Sequence, residues 1–305
     1  SFSALLHVII MSAEFFTGIT VNGFLVIRNG NELLKSRKLM PMQILLMCIG
    51  ISRIGLQMVL MVQSFFTVFF PLLYVLKIHG ATMMFLWMFF SSISVWFATC
   101  LSVFYCLKIS GFTQSYFLWL KFRIPKIILW LLLGSLLASV CIAALCIEVD
   151  YPLNRDDDAL RNTTLQETKT KIRKISEVLL VNLALLFPLA IFVICSFMLV
   201  ISLYKHTHRM QNAARALRNA ITEAHINALR MVVTFFCFFI SYFAAFMMNM
   251  TFTIPYESLQ FFAVKDIMAA YPSGHSVVII LSNSKFQQPF RRILCCKKLV
   301  IRCIL

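Results

Sequence analysis

The sequence predicts an all-α membrane protein: a seven-transmembrane helix bundle with an extracellular N-terminus and a short cytoplasmic tail. Three observations predict it. Hydrophobic residues make up 60% of the 305, with a mean hydropathy of +0.85, a balance that cannot be hidden inside one soluble core. Seven apolar runs recur along the chain, each near or above the about 20 residues a helix needs to cross the hydrocarbon of a bilayer. The basic residues behind the formal charge of +16 fall in short connections between alternate runs. In a soluble protein so basic a balance would point to nucleic acid; here membrane orientation accounts for it, and no nucleic-acid partner is expected.

The first run, about residues 3–27, is too long for the apolar core of a secretory signal and no small-residue cleavage site follows it, so it stays as a span. Because Ser1 is not preceded by an initiator Met, a few upstream residues are expected. Asn22 sits in the inner half of this span, followed by Gly23, which permits close helix approach. The second run, 42–66, carries Arg53 near its middle. An ionisable group at membrane depth faces the bundle interior, and a buried guanidinium needs acceptors, of which Asn22 offers one. Two readings stand side by side: a polar hub that changes partners during switching, or a static lock between helices. Glu14 reads as a snorkelling or locally paired acid rather than a ligand contact.

The third run, 81–107, overlaps the stretch Met83 to Ser110, which carries Trp87, Ser91, Ser94, Ala98, Leu101 and Tyr105 every three to four residues, hence along one face. Small and hydroxyl-bearing residues let neighbours approach and hydrogen-bond, which predicts an inner helix. Runs four to six cover 127–147, 178–204 and 231–252, the fifth broken by Pro188. In the seventh, 261–281, Lys265 and Asp266 precede Pro272, Gly274, His275 and Ser276, and the proline predicts a kink. His275 has no His or Cys at ligand spacing and reads as an interhelical hydrogen-bonder. With residues 282–305 as a tail and no repeat or long linker, residues 1–305 form one domain.

Lys and Arg dominate the first, third and fifth connections and the tail, which the positive-inside rule places in the cytoplasm. The long second outer loop then carries Asn162-Thr163-Thr164, an N-glycosylation acceptor. Of the ten cysteines, seven lie in apolar runs and none in the outer loops, so neither a metal site nor an outer disulfide is expected. Cys295 and Cys296 beside the basic tail are candidates for palmitoylation. No nucleophile elbow, zinc-helix or phosphate-loop motif is present, so no enzyme activity and no cofactor are expected. A transporter or channel with Arg53, Glu14 and Lys265 along its pathway is the alternative, but no pair of interrupted spans recurs in matching halves.

Several stretches then carry a resemblance to a known family. They are Asn22-Gly23; Gly50-Ile51-Ser52-Arg53; Trp96 to Ile109, WFATCLSVFYCLKI; Phe117-Leu118-Trp119-Leu120-Lys121; Leu199 to Leu203 followed by Lys205-His206-Thr207; Glu223-Ala224-His225; and Tyr271-Pro272-Ser273-Gly274-His275-Ser276. In this order and spacing the chain resembles, over essentially its whole length, the vertebrate bitter taste receptors, the type 2 taste receptor family of G-protein-coupled receptors. A pheromone receptor is disfavoured by the seventh-span motif.

The resemblance implies a multi-pass receptor of the plasma membrane that binds small bitter agonists from outside and activates a heterotrimeric G protein of the gustducin type inside. It implies a ligand-binding wall of Trp87, Phe90, Ser91, Tyr242, Phe246, Asn249 and Asp266, with Asp266 favouring a cationic amine. Ser91 stands where relatives often have Asn, and Tyr242 matches a tyrosine thought to move on activation. Asn22, Arg53, Tyr105, Pro188, Pro272, His275 and Ser276 are the structural and switching candidates, and Lys108, Arg209, Arg215, Arg218 and His225 the G-protein-facing ones. Membrane lipid is the further partner of the basic connections. The third inner loop, QNAARALRNAIT over 211–222, departs from the family's flexible turn in having higher helix propensity, a difference that bears on coupling.

Overall fold

The computed structural model describes residues 2–36, 40–70, 77–109, 115–150, 163–209, 230, 233–249, 258–283, 286–290 and 292. These form the long helices α1 (Phe2–Ser36), α2 (Pro41–Phe69), α3 (Lys77–Ile109), α4 (Ser115–Asp150), α5 (Thr163–Arg209), α6 (Val233–Asn249) and α7 (Leu259–Ser282), and no strand occurs among the described residues. Five of them, α1 to α5, contain stretches long and apolar enough to cross a membrane. Each of the seven expected apolar runs contributes one helix, and the polar residues flanking α1, α4 and α5 extend them beyond the apolar part.

Local chemistry sets several helix ends. Pro41 opens α2 after an extended Met40 (φ −103°, ψ 105°), its ring fixing the φ that a first helical residue needs and its missing amide costing nothing there. Ser258 caps α7, its hydroxyl accepting the Phe261 amide at 3.1 Å. At the far end the Asn283 amide donates to the Ile280 carbonyl at 3.3 Å and closes the last turn.

The bundle is arranged around α3. It meets α2 on one side and α4 and α5 on the other, while α1 lies between α2 and α7. The membrane-length part of α3 is 67% buried, against 28% for α4 and 22% for α1. Trp87, Ser91, Ser94, Ala98 and Leu101 are all buried and Tyr105 is half-buried, so the stripe faces helices on several sides. By contrast α4 and α5 turn Trp130, Leu133, Leu137, Leu183, Phe187, Ile194 and Phe197 outward, the composition of a lipid-facing surface.

Close approach falls at a different glycine from the one expected. A Cβ at Gly23 would have nothing within 4 Å, whereas one at Gly50 would meet Val26 Cγ2 at 2.7 Å and the Asn22 backbone carbonyl at 3.0 Å. It is therefore Gly50 on α2 that lets α1 and α2 touch beside Asn22. Pro188, expected to break the fifth span, does not. The helices α5 and α7 run on through Pro188 and Pro272 rather than stopping at them. Polar groups from packed helices engage the carbonyls there: Thr99 Oγ1 of α3 donates to Pro188 at 3.2 Å, and Asn22 Nδ2 of α1 to Pro272 at 3.3 Å.

The glycine geometry gives a matched pair of predictions. Gly50→Ala must push α1 off α2 and is expected to cost about 1–3 kcal/mol by overpacking. Gly23→Ala is expected to be neutral or slightly stabilising, because alanine favours helix and nothing is in its way. Thermal unfolding of the two purified variants in the same detergent checks both.

Candidate functional site

Two sites are built into the bundle, and an aromatic column joins them. The first is a cavity of about 160 Å³ at the end where α1, α3 and α7 begin. Its walls are Met11 of α1, Leu60, Gln63 and Ser64 of α2, Met84 and Trp87 of α3, Asn249 of α6, and Phe261, Lys265 and Met268 of α7. Three of these are methionines, unbranched side chains that adapt to a guest's shape. Trp87 is 6% exposed and its indole Nε1–H has no hydrogen-bond partner. Lys265 Nζ lies 4.8 Å from the centre of the Phe261 ring, which draws the ammonium along the cavity wall.

The expected ligand wall divides in this geometry. Trp87 and Asn249 line the cavity. Phe246 stacks on Trp87 at 5.4 Å, Tyr242 stands behind Phe246 at 6.5 Å, and Ser91 is buried one turn further along α3. Phe90 instead lies against α2, where the missing side chain of Gly55 leaves room for its ring. Asp266 is not on the cavity wall either: its Oδ1 is 2.6 Å from His7 Nδ1, and the His7 ring stacks on Phe262 at 4.7 Å. Glu14, read from sequence as snorkelling or locally paired, is half-buried with its Oε2 unpartnered.

The second site is a polar cluster around Arg53, which is completely buried. Arg53 Nη1 donates to Ser276 Oγ at 2.6 Å, and Nη2 lies 2.6 Å from His275 Nδ1. A guanidinium has no acceptor, so His275 accepts through Nδ1 and keeps its ring proton on Nε2. Ser276 passes its own proton to Asn22 Oδ1 at 2.7 Å, while Asn22 Nδ2 donates to the Gly18 and Pro272 carbonyls at 2.9 and 3.3 Å. Asn22 thus reaches Arg53 through Ser276 rather than directly, as sequence reasoning had it. The side of the guanidinium is covered by Tyr271, whose ring centre is 5.5 Å from Cζ.

Tyr271 also meets Tyr242 at 5.4 Å, so one continuous column runs Trp87, Phe246, Tyr242, Tyr271, Arg53. From α6, Phe235 reaches the same place, its ring 4.8 Å from His275, and Phe238 occupies the space over Gly274. Of the G-protein-facing candidates, Lys108 is exposed on the last turn of α3 with Nζ 5.4 Å from the Phe104 ring centre, which Tyr105 meets edge-on at 5.9 Å. Arg209 ends α5; Arg215, Arg218, His225, Asn162, Cys295 and Cys296 lie outside the described residues.

The sequence profile of the Taste receptor protein (TAS2R) family matches residues 1–298. The chain belongs to the taste receptor family. The motifs quoted above resemble its second member in particular, and human Taste receptor type 2 member 2 is 80% identical over 298 residues, covering 98% of both chains. Taste receptor type 2 member 7 of Macaca mulatta is 35% identical over 92% of this chain and 90% of its own. Among solved structures, squid rhodopsin superposes with a TM-score of 0.62 at 16% identity, covering 96% of this chain and 87% of that one, so the helices adopt the rhodopsin-type receptor fold. The receptor is accordingly a multi-pass membrane protein of the bitter taste class and not an enzyme.

Sequence reasoning missed most of the cavity wall. Gln63 and Ser64, adjacent polar residues late in the apolar second run, were the available signal. His7 was another, a lone imidazole in the first run whose partner Asp266 lies 259 residues away. The cluster geometry makes Ser276 the joint between α1, α2 and α7. Ser276→Ala is expected to cost the receptor about 1–3 kcal/mol, since a buried donor and acceptor both lose their partner. Ser273→Ala, which removes a bond only to the Ala270 carbonyl of its own helix at 3.2 Å, is expected to cost less than half of that. Melting temperatures of the two variants, read side by side, decide the comparison.

Proposed function

We propose that the receptor binds small bitter compounds in the cavity bounded by Trp87, Asn249 and Lys265, and that the bound state is read at the opposite end of the bundle by a heterotrimeric G protein of the gustducin type. The observation that carries this reading is the column from Trp87 to Arg53: a ligand that moves Trp87 also displaces the aromatic stack resting on the polar cluster. Phe246, Tyr242 and Ser91 are the supporting layer behind the wall, and Phe90 acts through the α2–α3 contact. Asn22, Arg53, His275, Ser276 and Pro272 form the element whose hydrogen bonds rearrange, with Tyr105 and Pro188 as helix-contact residues. Lys108, Arg209, Arg215, Arg218 and His225 belong to the G-protein face, and the basic residues among them also meet anionic lipid.

In this orientation the cavity opens outside the plasma membrane, the N-terminus is extracellular, and Asn162 is glycosylated. Residues 1–305 act as one receptor domain. Membership of a receptor family sets aside the transporter, channel and pheromone-receptor readings.

A calcium-response screen of bitter compounds, in cells expressing the full receptor with a chimeric G protein, is expected to yield agonists. Trp87→Ala is expected to raise their half-maximal concentrations about tenfold or more, as truncating a buried aromatic anchor does, with surface expression kept. An unchanged dose response to every agonist would remove the cavity from the mechanism. Orientation has a separate readout: wild-type receptor from these cells loses mass on treatment with an amidase that removes N-glycans, and Asn162→Gln runs at the treated position from the start.

A further inference from the structure

We infer that the His7–Asp266 pair holds the opening turns of α7 in the rotation that presents them to the cavity, which makes His7 a positioning residue for agonist binding. The inference rests on the reading of this cavity as the outward-facing agonist site and adds to it a residue outside the wall. At this end α7 carries two adjacent stripes. Phe261 and Lys265 line the cavity, while Phe262 and Asp266, each one residue later and so about 100° further round the helix, meet His7 of α1. Turning α7 by that angle would carry one stripe into the place of the other. Whatever holds Asp266 therefore holds the cavity wall.

The hold has to be local. Further along, Ser276 ties α7 to Asn22 of α1, and Ser276 and His275 tie it to Arg53 of α2. Pro272 lies between that cluster and Asp266, and its nitrogen has no proton to give the Met268 carbonyl, so the helix is less firmly bonded across this turn. On the α1 side, only His7 and Met11 are buried among residues 2–17. Met11 is on the cavity wall, which leaves His7 to grip α7. Its ring stacks on Phe262 at 4.7 Å, and Nδ1 donates to Asp266 Oδ1 at 2.6 Å. The His7 Nε2 atom is buried with no partner among the described residues, so Asp266 supplies the ring's hydrogen bond there. With side-chain exposures of 0% for His7 and 15% for Asp266, water competes little for that bond.

Lys265→Cys puts a thiol on the cavity wall of the full-length receptor in intact cells. Its rate of modification by the impermeant reagent methanethiosulfonate ethyltrimethylammonium, above the background of the wild-type chain, reads how often this turn faces the cavity. Adding His7→Ala or Asp266→Ala is expected to slow the reaction about tenfold, the size of one hydrogen bond to a charged group. The two together should slow it no more than either alone, because both remove the same bond. His7→Asn, whose amide nitrogen stands where Nδ1 does, should restore the parent rate, whereas His7→Phe, which keeps only a ring for Phe262, should not. Met268→Cys, also in the wall, is the second reporter where Lys265→Cys fails to reach the surface. An unchanged rate in either alanine variant, effects that multiply in the double variant, or no recovery in His7→Asn overturns the inference. If the thiol rates follow the expected pattern while Trp87→Ala leaves the calcium dose responses unchanged, it is the location of the agonist site that falls instead.

Discussion

A guanidinium buried at the centre of the bundle with no carboxylate beside it is the constraint on which the rest of the structure depends. Arg53 stays charged, since its proton is never given up in a protein, and the described residues offer it only neutral partners. Those partners come from different chain segments: Ser276, His275 and Tyr271 on α7 directly, and Asn22 on α1 through Ser276. Taking the charge out of water is costly, and removing any one partner leaves a polar group stranded in low dielectric. Three helices are thereby held in one relation. Gly50 serves the same arrangement from below, because only a residue without a side chain lets the Asn22 turn of α1 come this near to α2.

Above this cluster the packing changes character. From Arg53 toward the cavity every contact in the column is aromatic, and Tyr271 belongs to both parts, covering the guanidinium on one side and meeting Tyr242 on the other. Stacked rings interdigitate closely, so the packing from Trp87 to Tyr271 is unbroken. The ring of Phe238 over Gly274 and that of Phe235 against His275 bring α6 to the same point. The helix carrying Tyr242 and the helix carrying the polar motif are in register because glycine makes room for phenylalanine.

The fold was legible because its evidence is periodic and repeated. Apolar run length located the helices, and the stripe from Trp87 to Leu101 identified α3 as the inner one before any neighbour was known. Arg53 could be recognised as buried from its depth in an apolar run, and His275 as an interhelical hydrogen-bonder, although not as the partner of Arg53. What sequence could not supply was pairing across long separations. Asn22 and Arg53 look like direct partners until Ser276 is seen between them. Gly23 looks like the contact glycine, but the helix phase turns it to open space and gives the task to Gly50. Asp266 looks like a ligand anchor; the imidazole that engages it is on another helix, and its neighbour Lys265 faces the cavity instead. In each case the residue type was informative and the direction of the side chain was decided by tertiary packing.

The separation between Arg53 and its partners also orders the making of the protein. Ser276 and His275 follow Arg53 by 223 and 222 residues, so α2 is synthesised long before any of the groups that satisfy its charge. Until α7 emerges, the growing chain holds a guanidinium at membrane depth that must keep water or headgroup contacts, at a cost that opposes full seating of α2. The bundle can therefore close only at the end of translation, when the last helix arrives with both acceptors on one turn. The contacts that hold the finished receptor around Arg53 therefore form only once its seventh helix is present.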